Sequence, residues 1–446
     1  MLKTMGSMLA RTRLAGMLGQ SFDGDRDIYE VLGYKRTLTT DDFWLMYRRG
    51  GLAKRVVDAY PAATWRDVPS ISEDNDNKER GSAFENAWDE LAGRINIFHY
   101  LQRADTLAQL GQFSVLMLGV KGTPDLAAPA PIQRGAADLL YLAPFSQNRV
   151  EIKKYVDHPS DPRYGLPELY QVEFSNSDGT QSRRKLVHWS RLVHVAEGLL
   201  EDDVLGTPRL EAVFNLMRDL EKVSGSSAEM FWLNAAQRLV ANIDPEAQLS
   251  PEEKTALEDE ITEYMHQLRR FIRVQGAEVT AIQGQVADPK GVNEVLLQLI
   301  SGTTGIPQRI LTGSERGELA SSSDESNWSS RVGERRMDFA TNGVARPFVD
   351  RCVTLGILPE PGAGYIVDWP ENDALGEDKR ADMASKYSNA ISQYVSSGGE
   401  VVVPMEEFRE KFLGLAPEPE GGFVEPDEEE DDEGGEFGEE DGGDDV

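Results

Sequence analysis

The sequence predicts an α+β chain, an elongated subunit of several parts, on three observations. A block of short apolar stretches with turn signals between them runs from Phe113 to Val195. Two long helical patterns, 208–238 and 288–311, bracket a compact mixed insert, 239–287. A final segment, 417–446, holds sixteen Asp/Glu and no Lys or Arg, so it cannot bury a core and is expected to be disordered.

Residues 1–40 are polar and Gly-containing after a mixed basic and apolar start, and are expected to form an arm rather than a targeting peptide. Thr40-Asp41-Asp42 starts a helical pattern, with Gly50-Gly51 as a break and Pro61 predicting a stop near Ala59. Residues 79–110 read as two helices, with Phe84, Trp88 and Leu91 on one apolar face and Ile97, Leu101, Ala104 and Ala108 on the next. FSVLMLGV (113–120) reads as a strand. Strands follow at 139–142, 149–155, 169–174 and 185–195, with Ser177-Asp178-Gly179 as a hairpin turn.

Thr207-Pro208 is a cap and first position for the longest helix, which would reach roughly 45 Å at 1.5 Å per residue if unbroken to Arg238. Gly225 weakens its middle. In the insert, LVANID is a strand, Ser250-Pro251-Glu252-Glu253 is a capping box, and residues 271–274 and 278–282 are further strands. Asp288-Pro289 opens the next helix, with Val292, Val295, Leu296, Leu299 and Ile300 at helical spacing and a break at Gly302. The loop 312–323 is too polar for core and too long for a tight connection. A polar helix, 324–345, and a mainly helical region, 346–416, follow. Arg346-Pro347 is expected to interrupt them.

The net charge is −31 and about half of it lies in 417–446, which argues against a protein that grips nucleic-acid phosphates with a basic surface. Five histidines and one cysteine leave no metal cluster and no intrachain disulfide. GxxxxGK[ST], HExxH and GxSxG are all absent, and no cofactor is expected. The longest apolar run, Leu107–Val120, is too short for a membrane span. One catalytic pattern has to be weighed. His158-Pro159-Ser160 and His188-Trp189-Ser190 are both HxS, the spacing of 2H phosphoesterases, in which paired histidines act as acid and base. Pro159 and Pro162 make the first a turn rather than a strand.

Several segments resemble the phage portal protein family. They are Val56, Val57, Asp58 and Pro61 with Trp65-Arg66; His188, Ser190, Arg191 and His194 followed by Gly206-Thr207-Pro208; and TTGIPQRIL (303–311). The order of parts agrees over residues 40–415. The resemblance implies a wing (41–207), a first stem helix (208–238), a clip (239–287), a second stem helix (288–311), a tunnel loop (312–323), a helix returning to the wing (324–345) and a helical crown (346–416).

It also implies a non-enzymatic ring of identical subunits, usually a dodecamer. Such a ring sits at one capsid vertex of a virion assembled in the host cytoplasm and passes double-stranded DNA. Implied partners are the terminase large subunit, a head–tail adaptor and the major capsid protein, with no membrane. The DNA-facing loop residues would be Ser314, Glu315, Arg316, Glu318, Ser321, Ser322 and Ser323, and Arg269, Arg270 and Arg273 would serve docking at the clip. The nearest subgroup is the N-terminal part of certain anti-CBASS fusion proteins, without an added phosphodiesterase domain. A phosphoesterase, or a head-assembly or scaffold protein without a channel, are the alternatives.

Overall fold

The computed structural model describes residues 27–74, 81–122, 124–175, 182–235, 238–243, 250–265, 277–282, 288–313, 318–370 and 377–396. The first helices begin where a side chain satisfies the free N–H groups of a first turn. Asp27 caps α1 (Ile28–Leu32), and Thr39 with Asp42 forms a reciprocal capping box ahead of α2 (Thr40–Arg49). After Gly50 comes α3 (Gly51–Thr64), which runs past Pro61 instead of stopping near Ala59. Val56, Val57, Ala59 and Tyr60 are buried there, and that packing outweighs an interior proline's cost of about 3 kcal/mol. β1 (Ser70–Glu73) precedes α4 (Ala83–Arg94), opened by a Ser82–Glu85 capping box, and α5 (Ile97–Leu110) follows.

The strand block makes two antiparallel three-stranded sheets. β2 (Ser114–Val120) lies between β3 (Leu139–Ser146) and the later β7 (Leu192–Val195). The second sheet orders β4 (Val150–Tyr155), β5 (Pro167–Ser175) and β6 (Ser182–His188). Val115 and Met117 of β2 join Tyr170, Val172 and Val187 in one core cluster, while Leu116 and Leu118 join α4, α5 and later helices in another. A strand covered on both faces reads as an unbroken apolar run, as FSVLMLGV does. The expected single strand 185–195 is two strands in different sheets, separated by a tight turn at Trp189–Arg191. The break has a tertiary cause. Arg191 is buried and donates to the carbonyls of Asp125 and Ala128. The Trp189 ring lies 3.4 Å from the Arg163 guanidinium carbon and 4.3 Å from that of Arg351. Ser177-Asp178-Gly179 lies outside the described residues, although Ser175 and Ser182 pair across it.

α6 runs Phe214–Ala235, about 33 Å, and not from Pro208. The preceding stretch is a string of turns, because Gly206 N–H and Arg209 N–H are drawn to the carbonyls of Gln112 and Gln109. Thr207 does not cap the helix; its hydroxyl donates to Gly198 O. Gly225 leaves α6 unbroken. The insert contributes β8 (Arg238–Ile243), α7 (Pro251–Met265) and β9 (Ala277–Ile282), with β8 and β9 antiparallel. The expected strand 271–274 lies outside the described residues. α8 (Lys290–Thr304) passes Gly302 and ends at left-handed Gly305, φ 70°. The short α9 (Gln308–Thr312) follows, so the helix expected over 288–311 is two.

Helical backbone then continues from α10 (Glu318–Arg335) through a π-helical stretch, Arg336–Ala345, into α11 (Arg346–Thr354). Pro347 does not interrupt it. In the wider i→i+5 turns, Thr341 Oγ1 donates to Arg336 O and Asn342 Nδ2 to Met337 O, and Pro347 falls in the first turn of α11. β10 (Tyr365–Asp368) pairs with β1. These elements lie in one unit, Met1–Asn372; the other, Asp373–Val446, contains α12 (Glu377–Ser396). Residues 397–416 of the expected crown and the acidic segment 417–446 lie outside the described residues.

Two adjacent arginines fix the end of α10. Arg335 donates to both oxygens of Asp105 (2.6 and 3.0 Å), both oxygens of Glu197 (2.8 and 3.0 Å) and Thr64 Oγ1 (2.8 Å). Trp65 Nε1 and Gln109 Nε2 complete Asp105 at 2.8 and 3.1 Å, and Arg209 reaches Glu197 at 3.2 Å. Burial works to raise the Glu197 pKa, but the Arg335 and Arg209 charges and the Arg335 and Gln109 hydrogen bonds hold it below the ordinary range. Burial likewise disfavours charged Arg335; its two carboxylates prevail and keep it charged. Arg336 donates to the carbonyls of Thr64, Ala63 and Pro370 and to Asp67 Oδ2.

Replacing Arg335 with Met strands two carboxylates, one of them fully buried, and is expected to cost about 3–5 kcal/mol, read as a large fall in Tm. Because the folded pKa of Glu197 is depressed, its contribution is complete above its unfolded value of about 4.3 and is lost as pH falls through the folded value. Thermal unfolding between pH 7 and 3 should therefore show a steep loss on the acid side in the native chain. That step should be blunted in Glu197→Gln.

Candidate functional site

The paired helices α6 and α8 and the segment after them form the candidate site. α6 and α8 pack together. At one end Phe214 and Met217 of α6 and Ile300 of α8 are buried with α2, α3 and α9. Further along, apolar residues stand in solvent. Phe231 and Trp232 of α6 are 57% and 79% exposed, and Val292, Val295 and Leu299 of α8 are each at least half exposed. The stripe expected from helical spacing thus divides, with Leu296 and Ile300 inward and the other three outward. Sequence periodicity marks an apolar face without saying what covers it.

The chain turns at Gly305, whose positive φ favours glycine; a Cβ there would also push aside the Arg331 guanidinium. Ser301 Oγ donates to Ile306 O at 2.7 Å, and Arg55 Nε to Ile310 O at 2.8 Å. Gly313, φ 70°, ends α9. Of the loop residues predicted to face DNA, Ser314, Glu315 and Arg316 lie outside the described residues. Glu318, Ser321, Ser322 and Ser323 belong to α10, whose first residue is Glu318; the helix starts six residues before the expected 324. Serines are indifferent helix formers, but the packing that follows selects helix. The Trp328 ring packs against Tyr60 at a tilt, centroids 4.6 Å apart, and Arg309 approaches Asp324 at 3.9 Å across the loop's two legs. Sequence reasoning passed over Trp328, Arg331 and Arg335, though a lone Trp and paired Arg in a polar helix are the signal to look for. The clip arginines Arg269, Arg270 and Arg273 lie outside the described residues.

The two HxS patterns do not form paired strands. His158-Pro159-Ser160 is a turn in the β4–β5 connection, with Ser160 N–H donating to His158 Nδ1 at 3.3 Å. His188 ends β6. Ser190 Oγ accepts from Ala130 N–H and lies 2.9 Å from His188 Nδ1, which also accepts from Ser190 N–H at 3.3 Å. Burial, aided by nearby arginine charges, lowers the His188 pKa against the pull of Glu168. His194 is held between Tyr170 Oη (3.1 Å) and Val204 O (2.8 Å), stacks on Phe113, and is lowered by burial. Both are neutral packing histidines near pH 7. Among the described residues no His/Cys/Asp/Glu group could hold a metal, and no helix is long and apolar enough to cross a membrane.

Residues 43–393 match the family model described as phage portal protein. Among similar curated proteins, the anti-CBASS protein Acb1 of Caulobacter sp. (strain RHG1) is 28% identical over 204 residues, covering 44% of this chain and 31% of that protein. Acb1 of Sphingomonas paeninsulae is 24% identical over 405 residues, covering 83% and 60%. The chain therefore spans less than two thirds of the length of these relatives. A chain in the virion of a native gene transfer agent particle is similar at 15% identity and TM-score 0.48, covering 84% of this chain and 94% of that one. An HK97 family phage portal protein from Corynebacterium diphtheriae is similar at 11% identity and TM-score 0.38, covering 73% and 93%. With the family model matching over more than three quarters of its length, the chain belongs to the phage portal protein family.

Proposed function

We propose that copies of this chain close into a ring of about twelve, whose channel passes double-stranded DNA at one capsid vertex during packaging and ejection. The observation that carries the reading is the outward apolar stripe on the paired helices, Phe231, Trp232, Val292, Val295 and Leu299. Apolar side chains left in water are costly at roughly 25 cal/mol per Å², and a neighbouring subunit in a ring would cover them. Family membership supports the same arrangement.

In this reading β8, α7, β9 and the clip arginines Arg269, Arg270 and Arg273 dock the terminase large subunit and the head–tail adaptor. The strand block faces the major capsid protein. The segment between α9 and α10 touches passing DNA through Ser314 and Arg316, and the start of α10 does so through Ser321, Ser322 and Ser323, while Glu315 and Glu318 limit adhesion. Duplex DNA carries a negative charge every ~1.7 Å, so a mildly acidic wall lets it slide where a basic one would hold it. The role needs no catalytic residue. The ring would assemble in the host cytoplasm and remain in the virion. Any activity of the longer Acb1 relatives belongs to those proteins.

Light scattering on the purified chain should give a particle of about twelve times 49.5 kDa, with a central hole in negative-stain images. A persistent monomer, or an assembly without a hole, would overturn the ring and favour a head-assembly or scaffold role. Val295→Asp should leave the chain folded, with Tm nearly unchanged, yet abolish the ring. Rings that form normally in that variant would remove the stripe from the interface. Deleting residues 314–317 should spare assembly but cut packaged DNA severely.

A further inference from the structure

β6 is the outer strand of its sheet. Its partner β5 pairs it without irregularity from Leu169–His188 to Ser175–Ser182. The His188 N–H turns away from β5 to Leu126 O at 2.8 Å. By the alternation of antiparallel pairing, the N–H and C=O groups of Leu186, Arg184 and Ser182 point to that same open side. Among the described residues no other backbone meets them there.

Arg183 and Lys185 project from the opposite register. Arg183 faces the same side as its cross-strand partner Phe174, and Lys185 the same side as Val172. Both are exposed, and among the described residues neither has an ion-pair partner, whereas Arg184 on the other face is paired with Glu173 at 2.9 Å. Beside them opens a cavity of about 400 Å³, floored by Met117, Leu126 and Phe174 and walled by Tyr141. Tyr141 lies flat over Gly119, its partner in β2–β3, where a Cβ would displace the ring.

We propose that this edge accepts an extended acidic segment of a partner protein as an added strand. The free backbone of β6 supplies the ladder, Arg183 and Lys185 pair with Asp or Glu side chains, and the cavity takes an apolar side chain between them. Charged side chains alone would only blunt an edge; here Arg183 and Lys185, without an ion-pair partner among the described residues, themselves line a cavity that also holds Met117, Leu126 and Phe174, which gives this edge a cargo. A second copy of β6 is a poor occupant, because it would bring Arg and Lys against Arg and Lys. Among the described residues of β6, a nucleic acid would find only two cations without an ion-pair partner, on a chain of net charge −31.

Fluorescence anisotropy on the full chain tests this with a fluorescein-labelled acetyl-Glu-Leu-Glu-Val-Glu-Leu-Glu-amide and its counterpart with Lys in place of Glu. The acidic peptide should bind and the basic one should not. The double variant Arg183→Glu/Lys185→Glu should weaken the acidic peptide by at least about tenfold and gain the basic one. Leu186→Pro, which removes an outward N–H, should weaken binding without lowering Tm. Binding of neither peptide, equal binding of both, or an unchanged preference in the double variant would overturn the proposal. So would a short single-stranded oligonucleotide of equal charge that displaces the peptide more strongly than unlabelled peptide does.

Discussion

The buried pairing of Arg335 with Asp105 and Glu197 is the constraint on which the rest of the molecule turns. One guanidinium joins three parts of the chain distant in sequence: α5, the stretch after β7, and the end of α10. Removing charges from water is expensive, and a pair so placed persists only when nearly every lone pair and proton is used. Here Thr64, Trp65, Gln109 and Arg209 supply the remaining partners. The geometry tolerates little displacement, so the helix that carries the polar segment has a fixed point at its far end. Arg336, tied to three backbone carbonyls and to Asp67, prevents that helix from rotating about the fixed point.

The π-helical stretch follows directly from these two anchors. Adjacent residues on an α-helix lie about 100° apart, and both arginines are buried at their own sets of partners. The segment beyond must still deliver Ala340, Val344 and Phe348 to the core around α4 and α5. Wider turns reconcile the two demands, and Thr341 and Asn342 use their side chains to satisfy carbonyls the altered register would leave poorly served. Trp369 Nε1, donating to Thr341 Oγ1 at 2.7 Å, secures the result from outside the helix.

Much of this was legible in advance. Capping residues placed the starts of α2 and α7, apolar spacing placed α4 and α5, and alternation located most strands. The order of parts led to the portal family. Pro61 and Thr207-Pro208 are local signals that tertiary contacts overrode, Gly302 is passed within a helix that runs on to Gly305, Pro347 is absorbed in a first helical turn, and the break at Trp189–Arg191 exists because distant arginines and carbonyls meet there. The candidate site was legible as a polar segment between helices. Its anchors were not, because a buried Arg335 and a solvated arginine are spelled alike. The split of the α8 stripe into inward and outward halves depends on neighbours that periodicity cannot name.

β2 is covered on both of its faces. With apolar side chains above and below, a slip of one position would exchange leucines for valines and methionines without putting anything oily into water. Greasiness is therefore mute about alignment in this strand, where in a half-wetted strand it would speak loudly. Other devices must hold it true: the Ser114 hydroxyl fastened to Ala104 O at 2.6 Å, the flat seat that Gly119 offers Tyr141, and the irregularity between Gly119 and Val120. Three small features at its two ends do for β2 what polarity does for ordinary strands.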